Sequence, residues 1–232
     1  MTNTLGSPTL GFQTFKRMDG GSPTAGMTEV WIASTDAGYI FRGDPVVTSS
    51  APGTNNSGAY ITSLQLSNNS STFLVRGIFQ GCYQYQPSVQ RVVWSNSYQG
   101  TITGSTGDIK AYVVDDPEEL FIVQASTNSA VTSSMIGLNI SISTGSTTGN
   151  TLTGYSNITV QASGVAATSS LPFRLVDFYS AYAPGGGATG NVNFNSSVSG
   201  GIINGLDNSN PANIVVVRLN NCDRLNLTSR SA

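Results

Sequence analysis

The sequence predicts an all-β protein: a single β-barrel or sandwich-like domain of many short antiparallel strands, with an extended N-terminal arm and a long late loop. Three observations carry this reading. Short runs rich in Val, Ile, Tyr and Phe recur along the 232 residues, each bounded by Gly, Asn, Ser or Pro. No stretch shows a convincing amphipathic helical period. Charged residues make up only 9%, against a usual share of about 25%, and Ser, Thr, Asn and Gly fill the gap. Hydroxyls and amides rather than charges therefore make the surface polar. A hydrophobic share of 38% with 9% aromatics supplies a core, which argues against intrinsic disorder. Sandwiches and barrels of this length fold as one unit.

Residues 1–28 read as an arm, because Gly6, Pro8, Gly11, Gly20, Gly21, Pro23 and Gly26 discourage a helix or a long strand. Leu10, Phe12 and Phe15 give it apolar anchors, to be set either against its own domain or against a neighbouring subunit. The domain then runs over 29–232. Its expected strands are 29–33, 39–41, 45–48, 59–66, 73–79, 82–85, 89–94, 109–114, 120–125, 138–143, 157–161, 173–179 and 214–219. Alternation is plainest at 60–66, where Tyr60, Leu64 and Leu66 are expected to face inward. The continuous run Ile214-Val215-Val216-Val217 reads as a strand covered on both faces. A brief helical turn is expected within 128–135. Loops are expected at 49–58, 98–108 and 183–213. The last is too long for an idle connection and is read as flexible or as an extension held by a partner through Ile202, Ile203 and Leu206. An extra hairpin is allowed near Val192, Phe194 and Val198.

Around Asp115-Asp116-Pro117-Glu118 the flanking runs Ile109 to Asp115 and Glu119 to Ala125 read as a hairpin, with Pro117 presetting the turn. Asp115, Asp116, Glu118 and Glu119 are numerous enough for a Ca²⁺ site or a carboxylate pair. A tight turn with most of these side chains in solvent is the simpler reading, because Asp oxygens cap nearby backbone N–H groups.

The remaining motifs exclude more than they assign. Ten basic residues, two of them lysines (Lys16 and Lys110), are scattered along the chain with Lys16-Arg17 as the one adjacent pair, so no phosphate-neutralising patch and no direct nucleic-acid binding is expected. No apolar run approaches the roughly 20 residues of a membrane helix and no leader pattern opens the chain, so a soluble, cytoplasmically made protein is expected. Several Asn-x-Ser/Thr matches, among them those at Asn139, Asn157 and Asn226, reflect composition. Cys82 and Cys222, in a chain without histidine, match no metal spacing and read as buried thiols. Gly185, Gly187 and Gly190 fit GxGxxG, but Asn191-Val192-Asn193-Phe194-Asn195 is a poor helix start, so a loop is expected. Without His, a GxSxG elbow or S-x-x-K, no residue is assigned a catalytic role, and no cofactor is expected. Tyr83, Tyr85, Trp94, Tyr98, Tyr179 and Tyr182 are candidates for a sugar-stacking face or, more simply, for core and subunit packing.

Several motifs, taken in order, resemble a family of tailed-bacteriophage virion proteins that decorate or cement the head. The 109–145 stretch carries Tyr112, Val113, Asp115, Asp116, Pro117, Phe121, Val123 and Gln124, then Ile136, Gly137 and Asn139; Thr147, Thr148 and Gly149 lie just beyond it. Gly43-Asp44-Pro45-Val46 resembles the family's "GDPV" strand entry, and Gly77-Ile78-Phe79-Gln80-Gly81-Cys82 its "GvfxGc" strand. Phe173 to Asp177 and Asn213 to Asn220 resemble its late strands. Order and spacing agree from about Gly43 to Asn220.

The resemblance implies a non-enzymatic structural protein on the outside of an icosahedral head, bound to the major capsid protein and bridging its subunits. It also implies self-association, as a homotrimer at threefold positions, and a life in the host cytoplasm before assembly. Leu10, Phe12, Phe15, Ile202, Ile203 and Leu206 are the expected partner-binding residues, since the two segments holding them depart most from the family pattern. The alternative from another class is a lectin-like or tail-associated glycan-binding module.

Overall fold

The β-rich runs assemble into one closed sheet and one open sheet joined at a corner. The computed structural model describes residues 11–23, 26–49, 58–63, 73–100, 107–126, 129–143, 149–182, 191–192, 202–204 and 213–225. Its strands are β1 (Gln13–Arg17), β2 (Met27–Ile32), β3 (Tyr39–Phe41), β4 (Pro45–Thr48), β5 (Tyr60–Ser63), β6 (Gly77–Gln86), β7 (Arg91–Ser95), β8 (Ser97–Gln99) and β9 (Ile109–Val114). They continue as β10 (Glu119–Gln124), β11 (Asn139–Ile142), β12 (Val160–Ala166), β13 (Phe173–Phe178), β14 (Ser180–Tyr182), β15 (Asn191–Val192), β16 (Ile202–Asn204) and β17 (Ile214–Leu219). A 3-10 turn at Ser133–Met135, inside the expected helical turn, is the one helical element among the described residues.

The closed sheet is a five-stranded barrel in the order β4-β5-β2-β9-β6, sealed by pairing of β4 with β6, and β7 extends it beyond β6. Among its described pairings only β2 and β5 run parallel. Closure removes the free edges that an open sheet exposes. Alternation sorts the side chains. Val30, Ile32, Ile61, Phe79, Cys82, Ile109, Ala111 and Val113 fill the interior, with Ile40 and Tyr98 from the short β3–β8 pair. On β5 it is Ile61 that joins this core, whereas Tyr60 sends its hydroxyl to Asp108 at 2.7 Å. Tyr60 is buried as expected, at 6% exposure, although it is the neighbouring Ile61 that joins this cluster; Leu64 and Leu66 lie outside the described residues.

The open sheet has the order β1-β10-β17-β13-β11-β12. Its core is built from Phe12, Phe121, Val123, Ile140, Ile142, Val160, Phe173, Leu175, Val215, Val217 and Leu219, with Val75, Ile78 and Val114 contributed by the barrel side. Residues 214–217 are buried without a break, as a strand covered on both faces must be.

The corner between the sheets corrects one expectation. Residues 109–125 do not form a hairpin: β9 pairs with β2 and β6, β10 with β1 and β17, and neither pairs with the other. Both edges of each strand are already occupied, so the Asp115–Glu118 turn redirects the chain from barrel to open sheet. A second expectation fails with it, because Asp115 and Glu119 are 2% and 1% exposed. Asp115 accepts the Thr28 hydroxyl at 2.7 Å and lies 3.1 Å from Arg76 and 3.2 Å from Arg224. Asp116 accepts Arg17 at 2.7 Å, and its other oxygen caps the Glu118 amide at 2.9 Å. Burial, then the neighbouring Asp116, push the Glu119 carboxyl above its usual range, with Arg17 opposing them.

The Gly43-Asp44 turn ties the two sheets at a second place. Gly43, at φ +93°, accepts the Phe12 amide through its carbonyl and donates its own N–H to Phe79 O. The Asp44 carboxylate accepts the Phe41 amide at 2.7 Å and the Ser156 hydroxyl at 2.5 Å. Burial pushes this carboxyl up to about 6, against the opposing pull of those two hydrogen bonds. The native state therefore takes up a proton between about pH 6 and pH 4 that the unfolded chain binds only near 3.8. Its charged form is a burden on stability above pH 6, relieved as pH falls, by up to roughly 3 kcal/mol. Urea denaturation of wild type and Asp44→Asn at pH 7, 6, 5 and 4 is expected to show wild type gaining relative to the variant on acidification. A stability difference constant with pH would overturn this.

The arm and the late loop also need correction. The domain boundary at residue 28 falls inside β2, and β1 is hydrogen-bonded along β10. Within 183–213, β16 pairs antiparallel with β14 and parallel with β15, giving a small three-stranded sheet, while residues 193–201, where an extra hairpin was allowed, lie outside the described residues. Cys82 and Cys222 are free and buried, and burial pushes the Cys82 thiol up to about 12. Gly185 to Gly190, Thr147, Thr148, Phe194, Val198 and Asn226 lie outside the described residues.

Candidate binding site

The longest strand builds an exposed aromatic feature of the described surface. β6 has ten residues, but its pairing with β9 ends at Tyr83, opposite Lys110. Beyond that point β6 pairs with β7 alone, from Gln84↔Val93 to Gln86↔Arg91, and the hairpin projects past the barrel rim. Its turn closes through Gln90 at φ +51°, the one non-glycine with positive φ among the described residues.

The outward face of this region is aromatic. Opposite the buried Val30, Ile32, Ala111 and Val113, alternation turns Trp31 and Tyr112 outward beside Tyr83, Tyr85, Val92 and Trp94. Tyr83, Trp94 and Tyr112 form a triangle with ring centroids 5.2, 5.7 and 6.0 Å apart. Gly81 makes the triangle possible. It sits at a bulge with φ +148°, and a Cβ there would lie 2.3 Å from the Trp94 ring. Tyr83, Val92 and Trp94 are still 44%, 62% and 42% exposed, so the cluster is packed yet open to a ligand. The charges on this face are matched: Lys110 lies 2.9 Å from Glu29 and 5.7 Å from the Trp31 ring.

The opposite face of the hairpin borders a groove of about 480 Å³, closed by Asn96, β8 and the turn at 151–154. The turn is held by Asn150, whose side-chain oxygen accepts the amides of Leu152 at 2.9 Å and Thr153 at 3.2 Å. Gln99 bridges to it through the Thr151 carbonyl at 3.2 Å and to the Ser97 hydroxyl at 3.3 Å. Gln84, Gln86, Asn96, Gln99, Thr151 and Thr153 supply amides and hydroxyls, Trp94 and Tyr85 stand at its edge, and none of the lining residues carries a charge. Arranged in this way, the region is equipped for binding through ring stacking and neutral hydrogen bonds, and no group of three or more His, Cys, Asp or Glu suited to a metal occurs among the described residues.

No protein-family model, curated protein or solved structure matches this chain.

The residues expected to bind a partner do not converge here. Phe12 is 1% exposed and stacks on Phe173 with centroids 4.5 Å apart, so it is a core residue and not a surface anchor. Phe15, on β1, meets Tyr179 edge-on at 5.4 Å and has the Lys16 ammonium 5.3 Å from its ring. Ile202 and Ile203 stand in register with Tyr182 and Ala181. Leu10 and Leu206 lie outside the described residues. Of the suggested aromatic face, Tyr83, Tyr85 and Trp94 come together, while Tyr98 is in the barrel core with its hydroxyl on the Asp36 carbonyl. Trp31 and Tyr112 were missed, although alternation with Val30, Ile32, Ala111 and Val113 is a signal that places both outward.

Proposed function

We propose that this chain is a non-enzymatic virion structural protein that binds the outside of a tailed-phage capsid, contacts the major capsid protein, and stabilises the shell by bridging its subunits. The observation that carries the proposal is the ordered resemblance from Gly43 to Asn220. Its residues hold positions on which the fold depends: Asp44 and Gly43 in the turn joining the sheets, Gly81 at the bulge of β6, Asp115 at the corner. Phe173 and 215–217 add the centre of the open sheet.

Physical reasoning agrees with the role. A shell under pressure from packaged DNA gains when one protein holds several subunits together, because simultaneous weak contacts multiply through effective concentration. A surface poor in charge limits the desolvation cost of such contacts. With Phe12 in the core, docking falls to Phe15, Ile202, Ile203, Leu10 and Leu206. Assembly as a homotrimer on threefold positions suits closed symmetry on the lattice.

The test uses expanded heads with and without the protein in a thermal DNA-release assay. Decorated heads are expected to release DNA at a higher temperature. Identical release curves at saturating occupancy, or failure to co-sediment with heads, would overturn the proposal.

A further inference from the structure

We propose that the outer face of the barrel, where Trp31, Lys110, Tyr83 and Trp94 stand in one row, is a binding site for a neutral oligosaccharide laid across the strands. This goes beyond a capsid-binding role and does not depend on it.

Register builds the row. Trp31 is opposite Lys110, Lys110 opposite Tyr83, and Tyr83 opposite Trp94, on the adjacent strands β2, β9, β6 and β7. Its three interstrand spacings make it about 14 Å long. Tyr112 flanks the row on one side, and the Tyr85–Val92 pair flanks it on the other. Trp31, Tyr83, Tyr85, Val92, Lys110 and Tyr112 line a dish of about 440 Å³ on this face, and Trp94 extends it beyond Tyr83. The Trp94 indole lies over Gly81 and is still 42% exposed, while Tyr83, edge-on to it at 77°, is 44% exposed. Mutual packing holds these rings before a ligand arrives, which lowers the ordering cost of binding.

Charge then narrows the ligand class. Lys110 is matched by Glu29 at 2.9 Å, and Asp108 in the dish adds a negative charge, so phosphate, sulfate and carboxylate ligands are disfavoured. A cation fares no better, because Lys110 itself holds the place over the Trp31 ring, 5.7 Å from its centroid. An acyl chain would bury the phenol hydroxyls and the Lys110 ammonium without partners. What remains is a neutral ligand with apolar ring faces and hydroxyl edges. A pyranose presents C–H bonds to the aromatic faces, and its hydroxyls suit the tyrosine hydroxyls, which both donate and accept.

Both tryptophans of the chain stand in the row, so intrinsic fluorescence reports on either end of it. The full-length protein is screened on a printed array of neutral and acidic glycans, and the best retained neutral oligosaccharide is then titrated by fluorescence and calorimetry. Binding is expected to fall about tenfold in Trp31→Ala and in Tyr83→Ala. Tyr83→Phe, which keeps the ring, is expected to retain most of it. Tyr155→Ala, which removes a 40% exposed ring outside the dish, is expected to leave it unchanged. Melting curves report which variants fold, and Trp31→Ala carries the test if Tyr83→Ala does not. The proposal is overturned if wild type retains no neutral glycan, if only sulfated or sialylated glycans bind, or if folded Trp31→Ala binds as wild type does. Equal loss in folded Tyr155→Ala would overturn the assignment to this face. Loss of head binding in folded Tyr83→Ala, with no glycan retained by wild type, would make the row a protein contact instead. Because free protein is used on the array, a negative result there leaves head binding untouched, and failure to bind heads leaves the glycan result untouched.

Discussion

Asp115→Ala is expected to lower the unfolding free energy by about 3–5 kcal/mol, as measured by urea denaturation at neutral pH. The carboxylate is 2% exposed and faces two guanidinium groups, Arg76 at 3.1 Å and Arg224 at 3.2 Å. Neither is aligned as a hydrogen bond to Oδ2, so the attraction there is between charges. Deleting the carboxylate leaves Arg76, itself 18% exposed, with Asp223 at 4.0 Å as its remaining ion-pair partner among the described residues. Thr28 also loses the acceptor of its hydroxyl.

The loss falls where three parts of the chain meet. Asp115 belongs to the corner between β9 and β10, and Thr28 to β2. Arg76 and Arg224 flank the bridge of Val75 with Cys222. Arg224→Ala is expected to cost far less, on the order of 1 kcal/mol or below, because its side chain is 49% exposed and screened by water. A loss below about 1 kcal/mol for Asp115→Ala would mean that water already shares this site.

Phe12→Ala is expected to cost a similar amount, about 3–5 kcal/mol, in the isolated chain. The ring is 1% exposed and stacks on Phe173, which is fully buried in the open sheet. Removing it leaves a cavity that β1 cannot fill, because Gly43 O holds the Phe12 amide at 3.0 Å and β10 holds the adjoining strand. The double variant with Phe173→Ala is expected to show a coupling of about 0.5–1.5 kcal/mol. An unchanged melting curve in Phe12→Ala, with head binding lost, would instead return Phe12 to the partner-binding set.

The candidate site was half legible in the sequence. Tyr83, Tyr85 and Trp94 stand out in one segment, and alternation is sufficient to turn them to a common face. The groove was not legible. Gln84, Gln99 and Thr151 are neighbours only because the hairpin outruns the barrel and the Asn150 turn folds back beneath it. Polar residues in a Ser- and Asn-rich chain carry no mark that distinguishes a groove from a loop.

Most strand positions are legible in local composition. Tyr39–Phe41, Pro45–Thr48, Ile109–Val114 and Ile214–Leu219 were each readable to the residue, because β-propensity, alternation and turn chemistry act over a few neighbours. Tertiary structure alone decided which strands meet. Residues 109–125 contain every local feature of a hairpin, yet β9 and β10 belong to different sheets, since a strand pairs with whichever edge the rest of the fold leaves open. Likewise Gln13–Arg17, in a segment punctuated by glycine, becomes a strand because β10 offers it a free edge. Asp115 and Glu119 obey the same logic. A turn composition predicts exposure, but burial of Asp115 depends on Arg76 and Arg224 arriving from distant parts of the chain. Local preference is written in adjacent residues; edge occupancy and charge pairing are properties of the assembled whole.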